Sequence, residues 1–283
     1  MTYTSPLPAQ QTPDFRGSAL DLVDLTMAYG DIDVLRGVSI SVAPGTTTCV
    51  IGPSGSGKST MLRGVNRLHE PKSGDVRLDG ESILGTKPDV LRRRIGLVFQ
   101  HFNLFPDHTA LQNVMLALRS VKRMPKAEAK RIAEERLIEV GLGERMDHRP
   151  RDLSGGQQQR VAIARALMQQ PKVLLADEPI ASLDPMNAKI VMDALRDINE
   201  REGITVITNL HTLDTARAYC QRIIGMAGGR VVFDGTPAEL TTEAVNRIYG
   251  SDGAIDETMT STSINPVLAH KPAAVGALMP AVN

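Results

Sequence analysis

Residues 46–60 read Thr46-Thr47-Thr48-Cys49-Val50-Ile51-Gly52-Pro53-Ser54-Gly55-Ser56-Gly57-Lys58-Ser59-Thr60, a short apolar strand, a glycine-rich turn and the start of a helix. Gly52 to Ser59 fills every fixed position of GxxxxGK[ST], the pattern of a loop that cradles nucleotide phosphates. Gly52, Gly55 and Gly57 carry no Cβ, so the backbone is free to turn successive N–H groups toward one anion. The helix opening near Lys58 adds its positive dipole end. Lys58 is placed to reach the β- and γ-phosphates as a point charge, and the Ser59 hydroxyl is a hard oxygen ligand for the Mg²⁺ those phosphates carry. The stretch predicts a nucleotide-binding α/β protein.

At 283 residues with 42% hydrophobic content, the chain is long enough for one large core or two small ones. Lys plus Arg equals Asp plus Glu at 32 each, which gives no basis for a polyanion-binding surface, so no nucleic-acid partner is expected. Cys49, in the strand before the cradle, and Cys220, in a later helix, have neither metal-site nor disulfide-framework spacing, and Cys49 reads as a buried thiol. The first residues lack a basic flank and apolar run, and no stretch approaches the roughly 18 apolar residues of a membrane span. A cytoplasmic chain is expected, with membrane contact made through a partner.

Residues 1–18, rich in Pro, Thr and Gln, read as a flexible tail, and so does 251–283 with its Ser, Thr, Ala and Pro. From Leu20, Leu22, Leu25 and Met27 to Val38, Ile40 and Val42 the rough period of two predicts strands with one covered face. Tyr29 between them reads either as a strand-end tyrosine or as a stacking platform for adenine. After the cradle, Met61, Leu62, Val65 and Leu68 mark the apolar face of a helix, and Asp79-Gly80 a turn. Ile95 to Phe99 reads as a buried strand with Gln100 at its exit. From His101 to about Pro150 the pattern is helical and more charged, with an amphipathic helix over Lys126 to Val140 through Ile132, Leu137 and Val140. Arg92, Arg93, Arg94 and the cations between 122 and 136 read as solvated faces.

Ser154-Gly155-Gly156 opens a helix that runs to Met168, with Ser154 as its N-cap and a second anion site at its end. Within one chain that site competes with the cradle for the same phosphate. Val173 to Ala176 reads as a central parallel strand ending in Asp177-Glu178, which is either a turn or a carboxylate pair beside the cradle. Ile190, Val191, Ala194, Leu195 and Ile198 stripe another helix, followed by the strand Ile204 to Thr208 and then Asn209-Leu210-His211. Taken alone, His211 reads as structural. Ile223 to Ala227 and Arg230 to Phe233 form a hairpin across Gly228-Gly229.

With these motifs in this order, the chain over about residues 19–250 resembles the ATP-binding subunit of an ABC transporter. Leu153-Ser154-Gly155-Gly156-Gln157-Gln158-Gln159-Arg160 is similar to that family's signature segment. The resemblance implies an α/β P-loop ATPase core with a mainly parallel sheet, an N-terminal antiparallel β portion and a helical subdomain inserted at about 101–160. It makes Gly52 to Thr60 the Walker A loop and Val173 to Asp177 the Walker B strand. By the same resemblance Glu178 is the catalytic carboxylate, Gln100 the Q-loop glutamine and His211 the switch histidine. Asp184 falls in the D-loop run Ser182-Leu183-Asp184, and Tyr29 is the adenine-stacking aromatic. Ser59, Gln100 and Asp177 become the expected Mg²⁺ ligands. Ser154, Gly155, Gly156 and Gln157 contact ATP bound to a second copy packed head to tail. Transmembrane permease subunits and, indirectly, a solute-binding protein are the other implied partners, and the cytoplasmic face of the membrane is the implied location.

Within that family, Ala176-Asp177-Glu178-Pro179-Ile180-Ala181-Ser182-Leu183-Asp184-Pro185 and Asn209 to Arg217 resemble phosphonate import ATPases. An importer ATPase for polar amino acids or another small anion is the neighbouring alternative. A soluble ABC protein of DNA repair or translation is a different class, and such proteins carry two cassettes or a long coiled coil, whereas this chain has one signature and no sustained heptads. A small-molecule kinase on a P-loop core is set aside by the signature segment.

Overall fold

The computed structural model describes residues 17–250, so the two expected tails lie outside the described residues except for Gly17 and Ser18. Those two are docked. Gly17 donates its N–H to Gly203 O at 2.8 Å and Ser18 Oγ to Asp79 at 2.7 Å.

The chain begins with strands β1 (Leu20–Tyr29), β2 (Ile32–Val42) and β3 (Thr47–Ile51) and then enters helix α1 (Lys58–Val65). Strands β4 (Ser73–Leu78) and β5 (Glu81–Ser82) follow, then α2 (Pro88–Arg94) and β6 (Ile95–Val98). Helices α3 (Ala110–Ser120), α4 (Lys126–Glu139) and α5 (Gly155–Leu167) lead to β7 (Val173–Asp177). The remainder is α6 (Pro185–Glu202), β8 (Thr205–Asn209), α7 (Leu213–Tyr219), the hairpin β9 (Arg222–Ala227) and β10 (Arg230–Gly235), and α8 (Thr242–Tyr249).

Two sheets result, in the orders β2-β1-β4-β5 and β10-β9-β3-β8-β7-β6. The first is antiparallel. The second is parallel from β9 to β6, with β10 antiparallel at its edge. Its central strands β3, β7 and β8 are buried throughout, as a sheet covered on both faces requires. On one face Val50, Val173, Leu175 and Ile207 pack with Met61, Leu62 and Val65 of α1 and with the inward residues of the first sheet. On the other, Cys49, Ile51, Leu174, Ala176 and Val206 pack against α5, α6, α7 and α8. A third cluster joins α3, α4 and one side of α5, so α5 couples the helical insertion to the sheet.

Four local expectations change. β1 keeps Leu20, Leu22, Leu25 and Met27 inward only because a register shift lies between Leu22 and Leu25, with Asp24 at φ +48°. α1 stops at Val65, and Arg67 turns left-handed at φ +48°, so Leu68 leaves the apolar stripe and is 45% exposed. In α4 the buried stripe is Ala129, Ala133 and Leu137, with Ile132 only partly covered, because small residues let α4 lie close to its neighbours. Ile190, expected on the inner face of α6, is exposed, and Met192 takes the inner position.

Arg92 is not a solvated cation as read. It is half-buried and donates to Asn66 O and Arg67 O. The cations Lys130 and Arg131 of α4 do face water, each paired to a glutamate one turn on. Both cysteines are buried, and burial with the neighbouring Cys220 pushes the Cys49 thiol well above its usual range.

Candidate functional site

The parallel sheet brings Lys58, Ser59, Gln100, Asp177, Glu178 and His211 to the carboxyl ends of four adjacent strands, where open α/β sheets hold their ligands. β3 runs straight into the glycine-rich loop. Gly52, at φ +147°, lies against the β9 backbone, where an added Cβ would stand 2.1 Å from Met226 O. Gly57, at φ +102°, is the residue before α1, and a Cβ there would meet Leu35 Cδ2 at 2.5 Å. Only glycine fits at these two positions, and that sets the curve of the loop. Ser56 N closes it by donating to Pro53 O at 3.2 Å.

Lys58 opens α1 and is 4% exposed. Its Nζ donates to Gly52 O at 2.7 Å and Pro53 O at 3.1 Å, so the ammonium sits across the mouth of the loop. Burial lowers its pKa from the usual lysine value, against the opposing pull of Glu178 and Asp177. Ser59 Oγ donates to Asp177 Oδ1 at 2.7 Å, across from β7. A hydroxyl and a carboxylate at that separation form a hard-oxygen pair that fits a small divalent cation.

The residues after β6, β7 and β8 come level through the sheet register. Val98 pairs with Ala176 and Asp177 with Asn209, so Gln100, Glu178 and His211 leave their strands at one end of the sheet. His211 Nε2 is 2.6 Å from Glu178 Oε1. Glu178 itself is left-handed at φ +50°, a conformation that costs a non-glycine residue about 1–3 kcal/mol and concentrates at functional sites. Lys58, Ser59, Thr60, Glu178 and His211, together with Ser54, Gly55, Gly57 and Val34, line a single cleft of about 200 Å³. Gln100 is half-buried and lies outside the cleft lining.

Tyr29 ends β1, is 45% exposed and stacks on His69 with centroids 4.3 Å apart. His69 Nε2 bonds Ala28 O at 2.7 Å, which fixes the pair at the strand end. Neither His69 nor its contact was visible in the sequence.

The helix expected to open at Ser154-Gly155-Gly156 does form, and its N-terminal end lies outside the cleft lining. Ser154 caps α5 by accepting from Gln157 N at 3.3 Å, while Gln157 Oε1 accepts from Ser154 N at 3.0 Å. Ser154, Gly155 and Gly156 are absent from the cleft lining. Gly155 instead neighbours Leu183 and Phe102, and Gly156 neighbours Asn187 of α6. Asp184, the N-cap of α6, accepts from Asn187 N at 3.1 Å, and its bonds to Asn187 hold its carboxyl below the usual range.

Two contacts that sequence reasoning missed tie the site together. Arg165 of α5, drawn below its usual pKa by burial, donates to Asn103 O at 2.6 Å and Phe102 O at 3.0 Å. It thereby clamps two consecutive left-handed residues, at φ +48° and +38°, just after Gln100. Asn209 Nδ2 donates to Asp177 Oδ1 at 2.8 Å from a fully buried side chain. A buried-strand pattern that ends in an amide was the available signal.

Residues 35–181 match the family described as ABC transporter. The phosphonates import ATP-binding protein PhnC of Rhizobium johnstonii is 55% identical over 257 residues, covering 86% of this chain and 92% of the relative. The protein of the same name from Rhizobium meliloti is 53% identical over 270 residues, covering 92% and 97%. Among solved structures, the ATP-binding cassette MJ0796, in a dimeric state bound to ADP and Pi, aligns with TM-score 0.70 and 38% identity over 77% of this chain and 98% of its own. CbiO1 of Clostridium perfringens, part of an ABC transporter complex, aligns with TM-score 0.74 and 33% identity over 82% and 94%. The chain is an ATP-binding cassette and belongs to the ABC transporter family.

Proposed function

We propose that this chain is the ATP-hydrolysing subunit of a phosphonate importer, acting as a peripheral protein on the cytoplasmic face of the cell membrane. One observation carries the hydrolytic part: Lys58, Ser59, Glu178 and His211 line one cleft at the end of the parallel sheet. The choice of solute rests on the identity to relatives named phosphonates import ATP-binding proteins. No described helix is long and apolar enough to cross a membrane.

The loop from Gly52 to Thr60 cradles the phosphates through its N–H groups, and Tyr29 stacks on adenine. Lys58, already across the loop mouth, exchanges its carbonyl partners for phosphate oxygens. Ser59, Asp177 and Gln100 are the residues that hold Mg²⁺, which neutralises charge on the β- and γ-phosphates when bound. Glu178 accepts a proton from the attacking water as general base. His211 leaves Glu178 for the γ-phosphate and fixes the line of attack.

A second copy completes the site. Ser154, Gly155, Gly156 and Gln157 of one chain cap the γ-phosphate held by Lys58 of the other, with Asp184 at the same interface. This arrangement gives the second anion site a ligand, consistent with its residues not lining the cleft of their own chain. It accords with the dimeric state of MJ0796. Phosphoryl transfer depends on positioning and charge stabilisation, so closure of the pair assembles the catalyst. Permease subunits dock at the groove of about 420 Å³ between sheet and helical insertion, where Leu68, Arg92, Phe99, Leu116, Val121 and Arg165 meet. A solute-binding protein delivers the phosphonate to them.

The test is uptake of labelled 2-aminoethylphosphonate, phosphate and a polar amino acid in cells with and without this chain. Loss of phosphonate uptake alone is expected. Loss of another solute with phosphonate uptake intact removes the phosphonate assignment, and no change in any removes the import motor.

A further inference from the structure

Asn209 ends β8 opposite Asp177, the last residue of β7. Its side chain is fully buried, its Oδ1 has no hydrogen-bond partner, and its Nδ2 donates to Asp177 Oδ1 at 2.8 Å. The orientation is fixed by chemistry, since an ionised carboxylate only accepts and an amide must turn its N–H₂ toward it. A buried acceptor left unpaired is destabilising, so packing alone does not favour an amide here.

We infer that Asn209 is a positioning residue for the metal-holding carboxylate of this cassette. This rests on the reading of Ser59 and Asp177 as the Mg²⁺ pair. Asp177 Oδ1 takes two donors, Ser59 Oγ at 2.7 Å and Asn209 Nδ2, from opposite elements, α1 and β8. When Ser59 turns its oxygen to a cation, the Asn209 bond remains and keeps Asp177 in place. The amide does this without adding a positive charge, so the field that attracts a divalent cation is left intact. Arg63 on the other side of Asp177, 4.0 Å from Oδ2, is a cation and weakens that field. Partners of this kind behind a ligating carboxylate are worth roughly 10–100-fold in metal affinity.

The test uses the full chain with ATP and Mn²⁺, whose binding is followed by electron paramagnetic resonance. Asn209→Leu keeps the branch at Cγ and removes the donor, and is expected to weaken Mn²⁺ binding roughly 10–100-fold. Binding of a fluorescent ATP analogue in chelator should stay at the wild-type value. Asn209→Thr, which keeps an O–H donor on a strand-favouring side chain, is expected to stand between the two. Unchanged Mn²⁺ affinity in the leucine variant, or an equal loss in the threonine variant, overturns the inference. If Asn209→Leu does not fold, Asn209→Val against Asn209→Thr gives the same comparison in an isosteric pair. Asp177→Asn separates the two readings. Wild-type Mn²⁺ affinity there removes the metal pair and Asn209 with it, whereas loss there with none at Asn209 overturns Asn209 alone.

Discussion

His211 Nε2 and Glu178 Oε1 stand 2.6 Å apart, a contact that joins the segments following β7 and β8 into one unit. Glu178 is held there in a left-handed backbone, so its carboxylate points into the cleft and not along the strand. Glu178→Gln preserves the shape of this pair and removes the proton acceptor. It should leave ATP affinity near wild type and lower turnover about 10²–10⁴-fold, measured by phosphate release. Size-exclusion chromatography with ATP should show the variant as a persistent dimer. Turnover near wild type would remove Glu178 from the role of base.

Lys58 donates to Gly52 O and Pro53 O, and burial lowers its pKa from the usual lysine value. Lys58→Ala takes away a charge-assisted contact of about 1.5–3 kcal/mol. Equilibrium binding should show ATP affinity falling roughly 10–100-fold, with the unfolding midpoint no longer rising on addition of ATP. An unchanged Kd contradicts the assignment of Lys58 to the phosphates.

Arg165 is the strut that holds Phe102 and Asn103 in their left-handed turns. Arg165→Ala should cost about 2 kcal/mol in chemical denaturation and raise amide hydrogen exchange most strongly at residues 99–104. Arg165→Lys, with one point donor in place of a fork, should recover part of both effects. Exchange that rises evenly over the whole chain would show that Arg165 stabilises the fold at large and not the segment after Gln100.

The local parts of this protein were legible in its sequence. The loop from Gly52 to Ser59 is contiguous, and each of its roles follows from residue type and spacing. The apolar run Val173 to Ala176 needs no context to read as a central strand. What escaped depends on register between distant segments. Asn209 meets Asp177 only because β7 and β8 pair in parallel at that step, 32 residues apart. Arg165 reaches Phe102 and Asn103 across 63 and 62 residues and looks, in the sequence, like one more cation on a helix. Leu68 misled because a helical stripe was continued past the point where Arg67 turns the chain. The alanine face of α4 was passed over in favour of Ile132, since periodicity arguments weight large residues and close helix packing uses small ones.

The most direct measurement is ATP hydrolysis by a mixture of two variants, each defective in one half of the proposed site. Lys58→Ala loses the phosphate grip, and Ser154→Arg loses the opposing helix end. Each alone should be inactive. If two copies pack head to tail, the mixed dimer keeps one complete site, formed by the loop of the second variant and the signature helix of the first. Activity of the mixture well above the sum of its parts is the predicted result. A mixture as inactive as the separate variants would contradict a site shared between two chains.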